Sequence, residues 1–142
     1  MSHAILFLCV ANSARSQMAE GLARVMDLDG MEVWSAGSNP TALNPLAVRV
    51  LAEQGIGATD QFSKALDEVP LDRVGTVVTL CKEEVCPKLP DSATHLHWLM
   101  PDPAAVSGSE NEQLESFRQV RDMIAARLRS WLRSSGCNSA IA

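Results

Sequence analysis

The chain has no tyrosine, and aromatic residues make up only 4% of its 142 residues, so few rings are available to stack on an aromatic substrate. Basic residues are also few. Twelve Lys and Arg stand against 17 Asp and Glu, for a formal charge of −5, so nucleic acid and anionic membrane are excluded as main partners. An anionic substrate must therefore be captured by a local site against the global field. Long apolar runs are missing too: the longest, Ala4 to Ala11, is far short of the roughly 20 residues that span a bilayer. No Lys or Arg precedes it as in a signal peptide, and the chain reads as soluble and cytoplasmic. Cysteines number four, Cys9, Cys81, Cys86 and Cys137, which is sparse for a secreted disulfide scaffold. In a cytosolic chain they point to metal binding or redox chemistry.

Hydrophobic residues, at 46%, exclude a disordered chain, and the length fits one domain. Its expected extent is 1–134, with a flexible small-residue tail over 135–142. Strand and helix patterns alternate. Ala4–Cys9 is a continuous apolar run, as in a central parallel strand covered on both faces. Ser16–Met26 places Met18, Leu22, Val25 and Met26 on one helical face. Glu32–Ser35, Val74–Leu80 and Thr94–Leu99 read as further strands, and Pro45–Gln54 as a helix with Pro at its first turn and Gly55 past its end. Ser109 and Glu112 form a capping box before the longest helix, whose core face is Leu114, Phe117, Val120, Ile124, Leu128 and Trp131. The pattern predicts an α/β fold, an open four-stranded parallel sheet with helices on both faces. Ligands bind outside the carboxyl ends of such strands. Cys9, Cys81 and Asp102 all follow strand ends and are expected at that rim.

The segment Cys9-Val10-Ala11-Asn12-Ser13-Ala14-Arg15-Ser16 spells C-x5-R-S between a buried strand and a helix start. A loop that wraps to feed a helix turns successive N–H groups inward, making a nest for a tetrahedral oxyanion where the helix adds partial positive charge. Arg15 can bind two oxyanion oxygens with its planar fork. The same fields favour the Cys9 thiolate and make it a nucleophile. Ser16 can hydrogen-bond that sulfur, and Asn12 can hold the loop's shape.

The stretch LFLCVANSARSQMAEGLAR resembles the oxyanion loop and first helix of the low-molecular-weight tyrosine phosphatases, and is more similar still to the arsenate reductases built on that flavodoxin-like, three-layer fold. The resemblance continues through WSAGSNP, NPLAVRVLAEQGI, VVTLCKEEVCP, HWLMPDPA and FRQVRDMI, so it covers nearly the whole chain. It implies Cys9 as nucleophile, Arg15 with the amides from Val10 to Ser16 as oxyanion ligands, and Asp102 as the acid that protonates a leaving oxygen. A reductase also needs two electrons from thiols: Cys81 would resolve the Cys9–arsenic adduct and Cys86 would carry the disulfide outward by thiol–disulfide exchange. The expected substrate is arsenate, with phosphate competing. No tightly bound cofactor is expected. The external thiol reductant would be thioredoxin first, with glutaredoxin or a mycothiol-type system as alternatives.

Departures bear on the choice between reductase and phosphatase. Ala14 stands where many phosphatases of this fold have a second loop cysteine, and Ala104 follows Asp102-Pro103, which weakens an aryl-phosphatase reading. A disulfide needs Cα atoms within about 7 Å, whereas residues five apart on a helix are separated by about 7.5 Å of rise, so Lys82–Val85 is expected to change conformation on oxidation. Cys81, Cys86, His95 and His97 also spell C-x4-C…H-x-H, but the spacing is loose for zinc, and the two histidines read as a solvated strand face. Glu20 and Arg24 read as an i,i+4 surface pair. Some reductases of the family place potassium near the counterparts of Asn12 and Glu20, with an aspartate from the segment around Ser63. Here that segment is Phe62-Ser63-Lys64, where a lysine can stand in for the cation, and no bound metal is predicted. Cys137 reads as an incidental thiol. A non-catalytic oxyanion-binding or redox-sensing module is the remaining alternative, but it leaves the second and third thiols without a purpose.

Overall fold

The computed structural model describes residues 4–26, 28, 30–58, 60–81 and 93–134. Four parallel strands form one sheet in the order β2-β1-β3-β4: β1 is Ala4–Leu8, β2 Glu32–Ala36, β3 Val74–Thr79 and β4 Thr94–His97. All five residues of β1 are buried, as its unbroken apolar run requires of a strand covered on both faces. Register is set by that burial, with Ile5 beside Val33 and Thr76, and Phe7 beside Ser35 and Val78.

Three α-helices are described: α1 Arg15–Val25, α2 Pro45–Ala52 and α3 Glu110–Ser134. Their apolar faces join one core layer, in which Met18, Leu22, Val50, Leu51, Phe117 and Ile124 pack with Ile5, Phe7 and Val78 of the sheet. On the opposite face, Ala4, Leu6, Leu8 and Val77 pack with Val69 and Val74, joined by Leu66 and Leu71 of two short 3₁₀ turns. Among the described residues, all three α-helices thus lie on one side of the sheet. The segment 82–92 and the tail 135–142 lie outside the described residues.

Local chemistry explains the helix ends. Asn44 caps α2, its Oδ1 accepting the Leu46 N–H at 2.8 Å, and Pro45 takes the first turn, where its missing N–H costs nothing. The expected capping box opens α3, with Ser109 N–H to Glu112 Oε1 at 3.0 Å and Glu112 N–H to Ser109 Oγ at 3.2 Å. Hydrogen bonding from Ser109, first by its backbone N–H and then by its side chain, holds the Glu112 carboxyl below its ordinary range. Trp98 is buried and Trp34 and Trp131 pack against the core, so all three tryptophans are structural. Among the described residues, no helix is long and apolar enough to cross a membrane.

Candidate active site

Strand hydrogen bonding continues past the carboxyl ends and knits the rim together. Cys9 N–H reaches Ala36 O, Leu80 N–H reaches Leu8 O, and Met100 N–H reaches Leu80 O, the last two at 2.9 Å. Cys9, Cys81 and the approach to Asp102 are brought to one edge of the sheet, as the strand-end rule requires.

Residues 9–14 form a loop whose carbonyls are all turned outward and bound. Cys9 O accepts from Asn12 N–H, Val10 O from Asn39 N–H at 2.9 Å, Ala11 O from Thr41 N–H at 3.1 Å, Ser13 O from Asn44 N–H at 3.0 Å and Ala14 O from Met18 N–H at 2.9 Å. The Ser63 hydroxyl lies 2.9 Å from Ala11 O and 2.7 Å from Asn12 O, and Gln17 Nε2 donates to Asn12 O at 3.0 Å. In a trans peptide the N–H opposes the preceding C=O, so binding carbonyls on the outside aims amides at the inside. Among the described residues the amides of Ala11, Ser13, Ala14, Arg15 and Ser16 make no hydrogen bond. Val10 and Asn12 differ from the rest of the expected set. The Asn12 amide serves Cys9 O, and the Val10 amide donates to Cys81 Sγ at 3.3 Å.

Asn12 is the hinge of the loop. Its φ of 47° is the left-handed conformation that Asn tolerates better than other non-glycine residues. Fully buried, it donates from Nδ2 to Ser16 Oγ at 2.8 Å, while its Oδ1 accepts from Lys64 N–H at 2.9 Å and Gln17 Nε2 at 3.0 Å. Ser16 Oγ, which accepts from Asn12, also lies within hydrogen-bond distance of Cys9 Sγ, 3.0 Å away. Asn12 and Ser16 thus brace the loop from below and do not line the cleft. Gly37 makes this packing possible, because a β-carbon there would lie 2.3 Å from Val10 O and 2.4 Å from Cys9 O.

The cleft above the loop holds about 380 Å³ and is lined by Cys9, Val10, Ala11, Ser13, Ala14, Arg15, Thr41, Asn44, Asp102 and Ala104. Among the described residues that line it there is no aromatic ring. Arg15 Nη1 donates to Met100 O at 3.0 Å, which ties the guanidinium to the loop that carries Asp102. Asp102 is exposed, and its Oδ1 accepts Ala104 N–H at 3.0 Å, an Asx turn that fixes the carboxylate at the mouth. A larger cleft of about 480 Å³ lies at the amino end of β2, near Trp34, but its arginines, Arg24 and Arg73, are already paired with Glu20 and Glu32.

A buried cysteine thus stands at a strand end, with amides and an arginine above it and a carboxylate at the mouth. The low molecular weight phosphotyrosine protein phosphatase family matches residues 4–139. The chain belongs to that family. Within it, the arsenate reductase of Bacillus subtilis strain 168 is 42% identical over 129 residues, 89% of this chain and 93% of that one. A solved structure of an arsenate reductase in the phosphate binding state superposes with a TM-score of 0.75 at 28% identity, covering 92% of this chain and 97% of the other. The thioredoxin-dependent arsenate reductase of Corynebacterium glutamicum gives a TM-score of 0.69 at 30% identity, covering 94% of this chain and 63% of that one.

Of the site residues expected of this family member, Cys9, Val10, Ala11, Ser13, Ala14, Arg15 and Asp102 line the cleft. Cys81 is fully buried beneath the loop, and Cys86 lies outside the described residues, as do Lys82–Val85 and Cys137. Two expectations change. Glu20 is 2% exposed, so Glu20–Arg24 is not a surface pair. His95 is half-buried and stacked on His97 with centroids 5.2 Å apart, and burial, then the charge of His97, lowers its pKa, so this strand face is only partly solvated. Among the described residues no group of three or more His, Cys, Asp or Glu could hold a metal ion. Gly37, Asn39, Thr41, Asn44 and Gln17 hold the loop without having been singled out from the sequence, and Ser63, noted there only beside a cation site, holds it too. Their signal was faint: WSAGSNP and NPLAV stood out as stretches, but contact with the loop is a tertiary fact.

Proposed function

We propose that this protein reduces arsenate to arsenite. One observation carries the reading: the Val10 amide, next to the nucleophile, donates to the sulfur of Cys81, a second buried thiol at the root of the oxyanion loop. Ester hydrolysis has no use for such a sulfur, whereas arsenate reduction through an internal disulfide relay needs one beside the nucleophile. The similarity to arsenate reductases at about 40% identity supports the same reading.

In the proposed reaction, the Cys9 thiolate attacks arsenic while Arg15 and the inward amides stabilise the charge on the oxyanion. Asp102 protonates the departing oxygen, which leaves as water. The Cys81 thiolate then attacks Cys9 Sγ. The S–As bond breaks, its electron pair stays on arsenic, and arsenite departs as the Cys9–Cys81 disulfide forms. Two thiols have supplied the two electrons. Cys86 attacks Cys81, restores Cys9 and leaves a Cys81–Cys86 disulfide for an external dithiol, for which thioredoxin is the proposed partner. Lys82–Val85 must rearrange for that step. Weak hydrolysis of phosphate monoesters accompanies the main activity, because Cys9, Arg15 and Asp102 suffice for it.

The test is arsenate-dependent NADPH oxidation with thioredoxin and its reductase, run beside p-nitrophenyl phosphate hydrolysis. Cys9→Ser is expected to abolish both, and Cys81→Ser and Cys86→Ser only reduction. Robust hydrolysis with no arsenate-driven oxidation, with either thioredoxin or glutathione and glutaredoxin, would overturn the reductase reading in favour of a phosphatase.

A further inference from the structure

Some reductases of the family that this chain resembles place a monovalent cation near the counterparts of Asn12 and Glu20, and the residues present here do not fit one. Glu20 and Lys64 are 2% and 4% exposed, and Lys64 Nζ lies 3.4 Å from Glu20 Oε1. The ammonium is also 3.1 Å from Phe62 O and 3.5 Å from Ser35 Oγ. A carboxylate, a carbonyl and a hydroxyl, the hard oxygen donors that would ligate a small cation, already surround a charged nitrogen. The Ser35 hydroxyl donates to Glu20 Oε1, and Arg24 sits 2.7 Å from Oε2, so both carboxylate oxygens are committed. An added cation would meet two positive charges and no spare negative one.

This ammonium is coupled to the nucleophile. The backbone N–H of Lys64 holds Asn12 Oδ1 at 2.9 Å, which orients Nδ2 towards Ser16, and Ser16 Oγ lies 3.0 Å from Cys9 Sγ. Lys64 is thus anchored at its tip by Glu20 and at its backbone by the oxyanion loop. A compact buried charge keeps such a place only while its partner is charged as well. We propose that Lys64 is a built-in monovalent cation, a positioning residue that braces the oxyanion loop through Asn12 and makes the protein indifferent to added potassium. The inference rests on Cys9 as the nucleophile of this loop and not on arsenate as substrate, so neither readout below involves arsenate.

The experiment compares wild type, Lys64→Ala and Lys64→Met at equal ionic strength in choline, potassium and methylammonium chloride. The melting temperature is read, together with the rate of Cys9 alkylation by iodoacetamide, followed by mass spectrometry of the Cys9 peptide. Wild type is expected to give the same values in all three salts. In choline, Lys64→Ala is expected to melt about 10 °C lower, as loss of one partner of a buried ion pair implies for a chain of this size. Its Cys9 alkylation should slow about tenfold, the lower end of what loss of a supporting contact behind a reactive site costs. Potassium or methylammonium, small enough for the vacated cage, should restore most of both. Neither should help Lys64→Met, whose apolar stem fills the space. Potassium stimulation of the wild type overturns the proposal. So does a Lys64→Ala protein that matches wild type in choline, or one whose losses, unfolding included, are the same in every salt.

Discussion

Replacing Gly37 with alanine tests whether the oxyanion loop is held by backbone packing. A β-carbon at this position would lie 2.3 Å from Val10 O, 2.4 Å from Cys9 O and 2.9 Å from Asn12 N, where real contacts are not shorter than 3.0 Å. The tightest of these contacts must open by at least about 0.7 Å. All three neighbours are backbone atoms of the loop, so no side chain can swing aside. Gly37 cannot retreat either, because its N–H is held by Lys64 O at 3.0 Å and it bridges to Ala65. Overpacking of this kind costs about 1–3 kcal/mol, or roughly 3–10 °C in melting temperature for a chain of this size. A displacement approaching 1 Å at the reacting atoms costs about 10²-fold in rate. Gly37→Ala is therefore expected to lose about two orders of magnitude in p-nitrophenyl phosphate kcat/KM while remaining folded by circular dichroism. Gly57→Ala is the control: nothing lies within 4 Å of a β-carbon there, so turnover should hold and stability rise slightly through the unfolded state. Wild-type turnover and melting temperature in Gly37→Ala would refute the reasoning.

Arg15→Lys keeps the charge but loses the planar fork and the second N–H that lets Arg15 hold Met100 O while facing the cleft. Its kcat/KM should fall about 10²-fold, and a loss below about threefold in steady-state hydrolysis would count against bidentate binding. Far from the site, the hydrogen bonds of Arg118, then those of Arg121, hold the Glu53 carboxyl at about 2, well below 4.5. A depressed folded-state value means that its stabilisation is complete above about 4.5 and is lost as pH falls towards about 2. Acid titration of Glu53→Gln should accordingly show a shallower loss of stability than wild type across that window, and identical slopes would remove Glu53 from the acid response.

Much of this protein is written in short-range pattern. The apolar run at Ala4–Leu8, the 3.6-residue spacing from Leu114 to Leu128, and the Ser109–Glu112 box set a strand, a helix and a helix start by local physics alone. C-x5-R-S at a strand end locates Cys9 and Arg15, because a loop feeding a helix has few ways to point its amides. Tertiary structure decided what holds that loop. Its carbonyls are bound by Asn39, Thr41, Asn44 and Ser63, up to 52 residues away in sequence, and no periodicity announces such partners. Position 37 had to be glycine only because two backbones cross there. Burial likewise turned Glu20 from half of a surface helix pair into the internal partner of Lys64, since charge costs little in water and a great deal without it.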